Sequence, residues 1–320
     1  MTEKKTRISI VFPVFNEKDN IEELYNQVRE VCHQANLDYE MIFVDDGSSD
    51  GSLDVVKKVR AADPNVRYLS FSRNFGHQVA LFAGLGKAEG DAIITMDADL
   101  QHPPSLIPEM VKRWREGVDV VYTTKQDANI DPIKGFIVRA SYWFISKISG
   151  LSLEFGQSDF RLIDKKILKL ILDMPECHKF LRGQVRWLGF RQEGIPYNVE
   201  KRHAGKPKFS YRSLYHLALD GIFSFGRYPL HLIMLFSLII FFFSSLYLMI
   251  VIGIWILKIL RIVRIPMPPG WTDLIMAVCF LGSVQLMAVG VLGEYVGRIY
   301  EQTKKRPIFI VKEDSAKENI

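Results

Sequence analysis

The sequence has few cysteines and lacks the common phosphate-binding loops. Its three cysteines, Cys32, Cys177 and Cys279, are scattered, with no CxxC pair and no cysteine–histidine zinc spacing. This predicts a reducing compartment and no disulfide framework. No GxGxxG or GxxxxGK[ST] loop follows a predicted strand. These absences argue against a dinucleotide-dependent dehydrogenase and a P-loop ATPase.

Charge is absent from two long apolar runs, residues 232–257 and 274–293. Each is long enough to cross a bilayer as a helix, which takes roughly 20 residues. Neither run is N-terminal, so we expect no signal peptide. Two buried core helices are the alternative, although core helices are rarely apolar all round for this length. We therefore predict transmembrane helices at about 230–257 and 274–297.

The net charge of +5 is modest, and its distribution is more informative than its sum. Basic residues flank the two runs at Lys201, Arg202, Lys206, Lys208, Arg212, Arg298, Lys304, Lys305 and Arg306. Such flanks favour the cytoplasmic side of a membrane. The loop at 258–273 is also basic, which weakens the charge argument. We expect a multi-pass protein of the bacterial inner membrane with its soluble part in the cytoplasm, and no nucleic-acid partner.

The rest of the chain alternates apolar strands with amphipathic helices. Strands are predicted at 8–12, 41–44, 66–71, 92–96 and 118–123, and helices at 18–34, 52–60, 78–88 and 108–116. This alternation predicts an α/β fold with a mostly parallel sheet and helices on both faces. Ligands of such sheets bind at the carboxyl ends of the strands.

Three of these strands end in polar clusters: PVFNE, DDGSSDGS and DADLQ. In the last, Asp97 and Asp99 lie on one side of an extended chain, and Gln101 continues that side. Paired carboxylates are costly unless a cation lies between them. Mg²⁺ or Mn²⁺ carrying a diphosphate suits these oxygen ligands. A solvated acidic turn is the alternative for this stretch.

The DDGSSDGS stretch also invites comparison with a calcium loop. It lacks the DxDxDG spacing and the terminal glutamate of such loops, which argues against calcium. A helix N-cap with turn glycines accounts for residues 48–51. It does not account for two adjacent acids at the end of a strand.

Together, VFPVFNE, VDDGSSDGS, SRNFGHQVA, DADLQHPP and SDFRLID resemble glycosyltransferase family 2, whose members have the GT-A fold. The chain is similar in particular to the polyisoprenyl-phosphate glycosyltransferases, which include dolichol-phosphate mannose synthases and bactoprenol glucosyltransferases. The motifs cover roughly residues 8–210, and the two apolar runs match the bactoprenol subgroup. The resemblance implies transfer of a hexose from a nucleotide sugar to a polyprenyl phosphate.

The resemblance also assigns roles to individual residues. A nucleotide sugar would be held by Pro13, Glu17, Asp45, Asp46 and Asp97. Mg²⁺ or Mn²⁺ would be held by Asp97, Asp99 and Gln101. The acceptor phosphate would contact Arg202, in the basic segment EKRHAGKPKFSYRS, together with Lys125 and Arg139, where the family pattern is imperfectly matched.

Asp159 of SDFRLID would be the general base. A lipid phosphate is already anionic at neutral pH, however, so Asp159 would equally serve to orient or exclude groups. An ion pair with Arg161 is the structural alternative. In-line attack would invert the anomeric centre and give a β-linked lipid phosphate from a nucleotide α-sugar. UDP-glucose is the expected donor, with GDP-mannose and a modified UDP-pentose as alternatives.

The expected organisation is a cytoplasmic GT-A domain over 1–210, an interfacial amphipathic helix over 211–228, two transmembrane helices within 229–297, and a cytoplasmic tail over 298–320. The interfacial helix is indicated by an apolar face after a basic segment, and residues 138–148 suggest a second surface helix. A strand is predicted at 307–312. That strand and the spacing of Gly293 and Gly297 favour a homo-oligomer.

Two other classes of function compete with this reading. A processive polysaccharide synthase would carry QxxRW, but in GQVRW the glutamine and the RW pair are too close together. A lipid flippase or anchor would bind without chemistry. Two helices make a poor translocation path, and the acidic clusters would then be unexplained.

Overall fold

The computed structural model describes residues 6–126, 156–177, 179–198, 228–260 and 270–316. The chain divides into two compact units. The first comprises Met1–Gly221 together with Arg306–Ile320, and the second comprises Ile222–Lys305.

The first unit contains the α/β elements. Its strands within the described residues are β1 (Arg7–Val14), β2 (Asp38–Asp45), β3 (Val66–Phe71), β4 (Ala92–Thr95), β5 (Val120–Lys125), β6 (Gln157–Asp164), β7 (Gln192–Tyr197) and β8 (Val311–Asp314). Its helices there are α1 (Lys18–Gln34), α2 (Ser52–Ala62), α3 (His77–Leu85), α4 (Ile107–Arg115), α5 (Lys165–Leu172) and α6 (Leu181–Trp187), with a 3₁₀ turn at Pro104–Leu106.

The strands form one mixed sheet in the order β7-β5-β6-β4-β1-β2-β3-β8. The pairs β1/β2, β1/β4, β2/β3 and β5/β7 are parallel. The pairs β4/β6, β5/β6 and β3/β8 are antiparallel. The predicted α/β class and mostly parallel sheet are confirmed, and β6 adds an antiparallel strand between β4 and β5.

Apolar side chains cover both faces of the sheet. On one face Phe12 and Phe43 stack with ring centroids 4.8 Å apart, beneath α1, whose buried positions recur at helical spacing. On the other face α3 lies against β1 and β2. Gly84 permits this close approach, because a Cβ there would lie within van der Waals overlap of the Val11 and Val44 side chains.

The second unit contains two long apolar helices, α7 (Tyr228–Ile259) and α8 (Trp271–Thr303). Within the described residues one segment, Phe280–Thr303 of α8, is long and apolar enough to cross a membrane, with a mean hydropathy of 1.3. The apolar stretch described in α7, Leu232–Tyr247, is shorter than a span. The prediction of two spans is therefore supported for one helix by length and composition.

The tail after α8 returns to the sheet of the first unit as β8. The strand was predicted at 307–312 and lies slightly later, at Val311–Asp314. It pairs with β3, which would otherwise be the edge strand of the sheet, and Phe309 stacks on Phe71 with centroids 5.0 Å apart. The Tyr68 amide donates to Ser315 Oγ at 2.8 Å. These contacts cover an edge of the sheet that would otherwise present unpaired backbone groups.

The predicted interfacial helix at 211–228 lies outside the described residues except for Tyr228, where α7 begins. The suggested surface helix at 138–148 also lies outside them.

Candidate active site

The polar motifs predicted at strand ends meet at one edge of the sheet. The parallel strands β1, β2 and β4 all end there. The Asp46 amide donates to Val14 O at 2.8 Å, and the Met96 amide donates to Val11 O at 3.0 Å. The sequences after β2 and β4 are thereby held directly beside the end of β1.

The PVFNE and DDGSSDGS motifs are joined by side-chain hydrogen bonds. The Asn16 amide donates to Ser48 Oγ at 2.9 Å, and the Ser49 amide donates to Asn16 Oδ1 at 2.8 Å. The Glu17 amide donates to Ser52 Oγ at 2.9 Å. Asn16 has a φ of 51°, in the left-handed region that asparagine tolerates better than most residues. The two motifs therefore form one rigid corner.

The residues predicted to hold the nucleotide sugar are largely enclosed in this corner. Pro13 is buried, and Glu17, Asp45 and Asp46 are 9%, 3% and 2% exposed. Glu17 Oε2 accepts a hydrogen bond from Asn20 Nδ2 at 2.6 Å. Their nucleotide-binding role stays a prediction, and the contacts of Glu17, Asp45 and Asp46 to the protein give these three a structural role as well.

Asp45 and Asp46 hold different parts of the protein. Asp45 Oδ2 accepts a hydrogen bond from Ser70 Oγ at 2.9 Å, which ties β2 to β3. Asp46 accepts hydrogen bonds from the amides of Phe75 and Gly76 at 2.6 and 2.9 Å. Burial raises the pKa of Asp46 despite these amides. Asp46 therefore fixes the loop that leads into α3.

The DxD cluster, which we define as Asp97, Asp99 and Gln101, follows β4. The Asp97 side chain is 33% exposed, and its Oδ1 lies 2.8 Å from His77 Nε2. Asp99 Oδ1 accepts a hydrogen bond from the Gln101 amide at 3.2 Å. Leu100 has a φ of 60°, which is uncommon for leucine. Such strained positions persist where the surrounding structure holds them, often at functional sites.

His102 attaches the DxD cluster to β6. Its Nδ1 accepts a hydrogen bond from the Asp97 amide at 3.2 Å, so the proton of a neutral ring lies on Nε2. That nitrogen lies 2.7 Å from Ser158 Oγ and donates to it. The ring stacks on Phe160 with centroids 5.3 Å apart. Burial lowers the pKa of His102, which favours this neutral form.

The Asp159 cluster, which we define as Asp159, Arg161 and Arg182, lies on the opposite face of β6 from Ser158. Arg182 donates from Nε to Asp159 Oδ1 at 2.7 Å and from Nη2 to Oδ2 at 2.9 Å. Arg161 Nη2 lies 3.6 Å from Oδ1. Burial raises the pKa of Asp159, but Arg182 and Arg161 outweigh burial and hold it well below its ordinary value. Asp159 is therefore ionised and firmly oriented.

The first two residues of α3 connect the two clusters. His77 contacts Asp97, and Gln78 Nε2 donates to Asp159 Oδ2 at 3.3 Å. Gln78 Oε1 also accepts a hydrogen bond from the Leu181 amide at 3.2 Å, at the start of α6. Burial lowers the pKa of His77, but the Asp97 carboxylate outweighs burial and the net pKa is raised.

The remaining predicted site residues are only partly described. Lys125 ends β5, and its amide donates to Gly156 O at 2.9 Å. Arg139 and Arg202 lie outside the described residues. Sequence reasoning anticipated the Arg161 contact with Asp159 but missed Arg182. Arg182 directly precedes the GQVRW stretch, and no local pattern in the sequence pairs it with a carboxylate on β6.

A divalent metal fits the donor set of the DxD cluster. Asp97 and Asp99 supply carboxylate oxygens on one loop, the ligands that Mg²⁺ and Mn²⁺ prefer. Among the described residues no group of three or more His, Cys, Asp or Glu side chains could by itself hold a metal. A metal held by one or two protein carboxylates would complete its coordination with substrate phosphates and water.

A family profile matches the part of the chain that contains most of these residues. The profile of glycosyl transferase family 2 matches residues 9–170. The chain belongs to glycosyltransferase family 2. The match contains the strand-end corner, the DxD cluster, and Asp159 and Arg161. Arg182 lies beyond it. The protein is therefore a glycosyltransferase.

Relatives within family 2 match nearly the whole chain. The bactoprenol glucosyl transferase of Shigella phage SfV is 38% identical over 315 residues, which cover 97% of this chain and 100% of the relative. An uncharacterized glycosyltransferase of Synechocystis sp. is 39% identical over 308 residues, which cover 96% of this chain and 95% of the relative.

Among solved structures, a mannosyltransferase of Pyrobaculum calidifontis in complex with GDP-mannose and Mn²⁺ aligns with a TM-score of 0.47 and 16% identity. The alignment covers 95% of this chain and 77% of that protein.

Proposed function

We propose that this glycosyltransferase moves glucose from UDP-glucose to a polyprenyl phosphate, with inversion at the anomeric carbon and with Mg²⁺ or Mn²⁺ bound. The observation that carries the proposal is the juxtaposition of the DxD cluster and the Asp159 cluster, linked by His77 and Gln78. One cluster is suited to a cation with a diphosphate, and the other contains guanidiniums suited to an anion. Both substrates of the proposed reaction carry phosphate.

The relatives support the acceptor and the sugar. The phage relative and a prophage homologue in Escherichia coli, 38% identical over 310 residues, are both named for glucosyl transfer to bactoprenol. The second unit of this chain supports a membrane-bound acceptor, because Phe280–Thr303 is suited to a bilayer. We extend the proposal to a second span in α7, a cytoplasmic catalytic unit, and a homo-oligomer packed through Gly293 and Gly297 of α8.

In the proposed reaction a phosphate oxygen of the acceptor attacks the anomeric carbon from the face opposite the leaving group. The bond between that carbon and the UDP oxygen breaks, and its electron pair leaves with UDP. A metal held by Asp97 and Asp99 would neutralise charge on the departing diphosphate. His77 and His102 keep the DxD cluster in place through the Asp97 carboxylate and amide, and Asp159 accepts hydrogen bonds from Gln78 and Arg182.

GDP-mannose and a modified UDP-pentose remain the alternative donors for the same chemistry. A flippase or anchor without catalysis is the alternative from another class. It would leave the DxD cluster without a purpose, because binding of a lipid phosphate alone needs no pair of carboxylates suited to a metal and a diphosphate.

A transfer assay tests the proposal directly. Full-length protein in detergent, with Mg²⁺ or Mn²⁺ and undecaprenyl phosphate, is given radiolabelled UDP-glucose or GDP-mannose in parallel. We expect label in the lipid fraction from UDP-glucose alone, loss of transfer with EDTA, recovery with added metal, and a β-linked product by NMR. Label in the lipid fraction from GDP-mannose alone would show that the donor is GDP-mannose and not UDP-glucose. Transfer that persists in EDTA would contradict the metal, and an α-linked product would contradict inversion.

A further inference from the structure

Arg182 is held in one orientation at the edge of the candidate site. Two of its guanidinium nitrogens donate to the two oxygens of Asp159, a bidentate geometry that fixes the plane of the group. The Arg182 side chain is 24% exposed, whereas Arg161 in the same cluster is fully enclosed. Of the two arginines that share Asp159, Arg182 is the one that a ligand can reach.

The contacts of Asp159 do not suit a general base. Its Oδ1 accepts from Arg182 Nε, and its Oδ2 accepts from Arg182 Nη2 and Gln78 Nε2. Taking a proton would weaken every one of these charge-assisted hydrogen bonds. The depressed pKa of Asp159 has the same cause. A strong ion pair suits a carboxylate whose task is to hold a guanidinium.

The proposed acceptor has no proton that must be removed. A phosphate monoester carries about −1.5 to −2 charges at pH 7, with a second pKa near 6. Its oxygen attacks as an anion, so the new C–O bond forms and the bond to UDP breaks with no proton transfer to the protein. What such an acceptor requires is a positive group that draws its phosphate away from the carboxylates of the DxD cluster. Arginine suits this role through its planar set of donors.

We propose that Arg182 binds the phosphate of the lipid acceptor and that Asp159 is the positioning residue that holds Arg182 in place. This inference rests on the proposed function and adds to it a binding residue on α6. The acceptor phosphate and the donor diphosphate then occupy two subsites of opposite charge, with His77 and Gln78 between them.

The test compares substitutions at Arg182 and Asp159 in the full-length protein. For wild type, Arg182→Gln, Arg182→Lys and Asp159→Asn, transfer kinetics give KM for undecaprenyl phosphate, KM for UDP-glucose, and kcat. Direct binding is measured with farnesyl phosphate, and farnesol serves as the probe that lacks the phosphate. Arg113→Gln is the matched control, because Arg113 on α4 is similarly exposed and is also paired with a carboxylate, Glu109.

We expect Arg182→Gln to raise the acceptor KM and the Kd for farnesyl phosphate at least about tenfold, a factor that corresponds to about 1.4 kcal/mol. The KM for UDP-glucose should change less than about twofold, and Arg182→Lys should fall between wild type and Arg182→Gln. Farnesol should bind all variants equally. Arg113→Gln should match wild type in every measurement.

The double variant Asp159→Asn/Arg182→Gln separates the two roles of Asp159. If Asp159 acts through Arg182, the double variant will have the acceptor KM of Arg182→Gln alone, because the two changes remove one interaction. Asp159→Asn should then keep kcat within a few-fold at saturating acceptor. A fall in kcat of about a hundredfold, with farnesyl phosphate binding intact, would show a general base and overturn the inference.

An unchanged acceptor KM in Arg182→Gln would also overturn it, while leaving the proposed function standing if wild type binds farnesyl phosphate and transfers glucose. If the wild-type protein neither binds farnesyl phosphate nor transfers glucose, the proposed function itself is wrong. Melting temperatures within a few degrees of wild type establish folding. If Arg182→Gln fails to fold, Arg182→Lys and Asp159→Asn decide, since unchanged acceptor binding in both would contradict the role of Arg182.

Discussion

The DxD cluster and the Asp159 cluster both contain carboxylates at the same edge of the sheet, yet their surroundings differ. Asp97 is one-third exposed and contacts two histidines. Asp159 is 7% exposed and is shared by two guanidiniums. Asp97 Oδ1 contacts His77 at 2.8 Å while its Oδ2 lies 3.7 Å from His102, beyond hydrogen-bond distance, whereas both oxygens of Asp159 accept from Arg182. The environment of each side chain, and not its residue type, separates their roles.

The backbone explains how two such environments arise so close together. The DxD cluster lies on a loop after a parallel strand, where side chains face the ligand edge. Asp159 lies within β6, which runs antiparallel to β4 and enters the edge from the opposite direction. Strand alternation then places Asp159 and Arg161 on one face and Ser158 on the other.

Substituting Asp99 with alanine should produce the largest effect, because it removes a carboxylate of the DxD cluster. We expect kcat to fall by about 10² to 10³ or more, because a group that stabilises developing charge is lost. The acceptor KM should stay unchanged, unlike in Arg182→Gln. Asp54→Ala, an exposed carboxylate on α2, is the control. Transfer kinetics with Mn²⁺ check this, and an equal rise in acceptor KM would show that the two clusters are not separate subsites.

Much of the first unit could be predicted because its patterns are local. The apolar spacing of residues 18–34 predicted α1 with its observed bounds, and the strand at 66–71 was equally well bounded. The carboxyl ends of β1, β2 and β4 were expected to meet, and Asp97 and Asp46 do lie at that shared edge. Parallel neighbouring strands of one sheet necessarily place their carboxyl ends at the same edge.

The Asp159 cluster could not be predicted in the same way. Its ion pair joins residues on β6 and α6, and it depends on β6 lying between β4 and β5. Strand order is set by long-range packing that local periodicity does not report. The contacts of Asp46 could not be predicted for a similar reason, since its partners are the amides of residues 75–76.

The ends of the long helices also differ from the apolar runs that predicted them. Helix α8 was expected to end near residue 297 and continues to Thr303. Arg298 Nε donates to Glu294 Oε1 at 3.0 Å, a pair one turn apart that supports helix beyond the apolar run. Hydropathy marks where a helix is apolar, and hydrogen bonding decides where it ends.

Substituting Gly84 with alanine should affect both clusters together and produce the next largest effect. A Cβ there would lie 2.3 Å from Val11 Cγ1 and 2.9 Å from Val44 Cγ2. Overpacking of this kind costs roughly 1–3 kcal/mol and displaces the helix that carries His77 and Gln78. We expect a lower melting temperature with loss of kcat and a raised acceptor KM.

The matched control for Gly84 is Gly86→Ala, whose Cβ would meet nothing closer than 3.5 Å. It should be neutral or slightly stabilising, since alanine restricts the unfolded chain. Equal melting temperatures for Gly84→Ala and Gly86→Ala would contradict the close packing of α3 on the sheet.

Substituting His77 with glutamine should have the smallest effect, and that effect should depend on pH. Because the native pKa of His77 is raised above 6.5, its pairing with Asp97 stabilises the protein fully below that ordinary value and is lost as pH rises through the native value. Both side chains are about one-third exposed, so the contribution is at most about 1 kcal/mol.

Melting temperatures between pH 6 and 9, measured in EDTA, should fall more for wild type than for His77→Gln. His33→Gln, on the exposed face of α1, should follow wild type. Parallel curves for wild type and His77→Gln would show that the DxD cluster is as insensitive to pH in this range as the arginine-held Asp159.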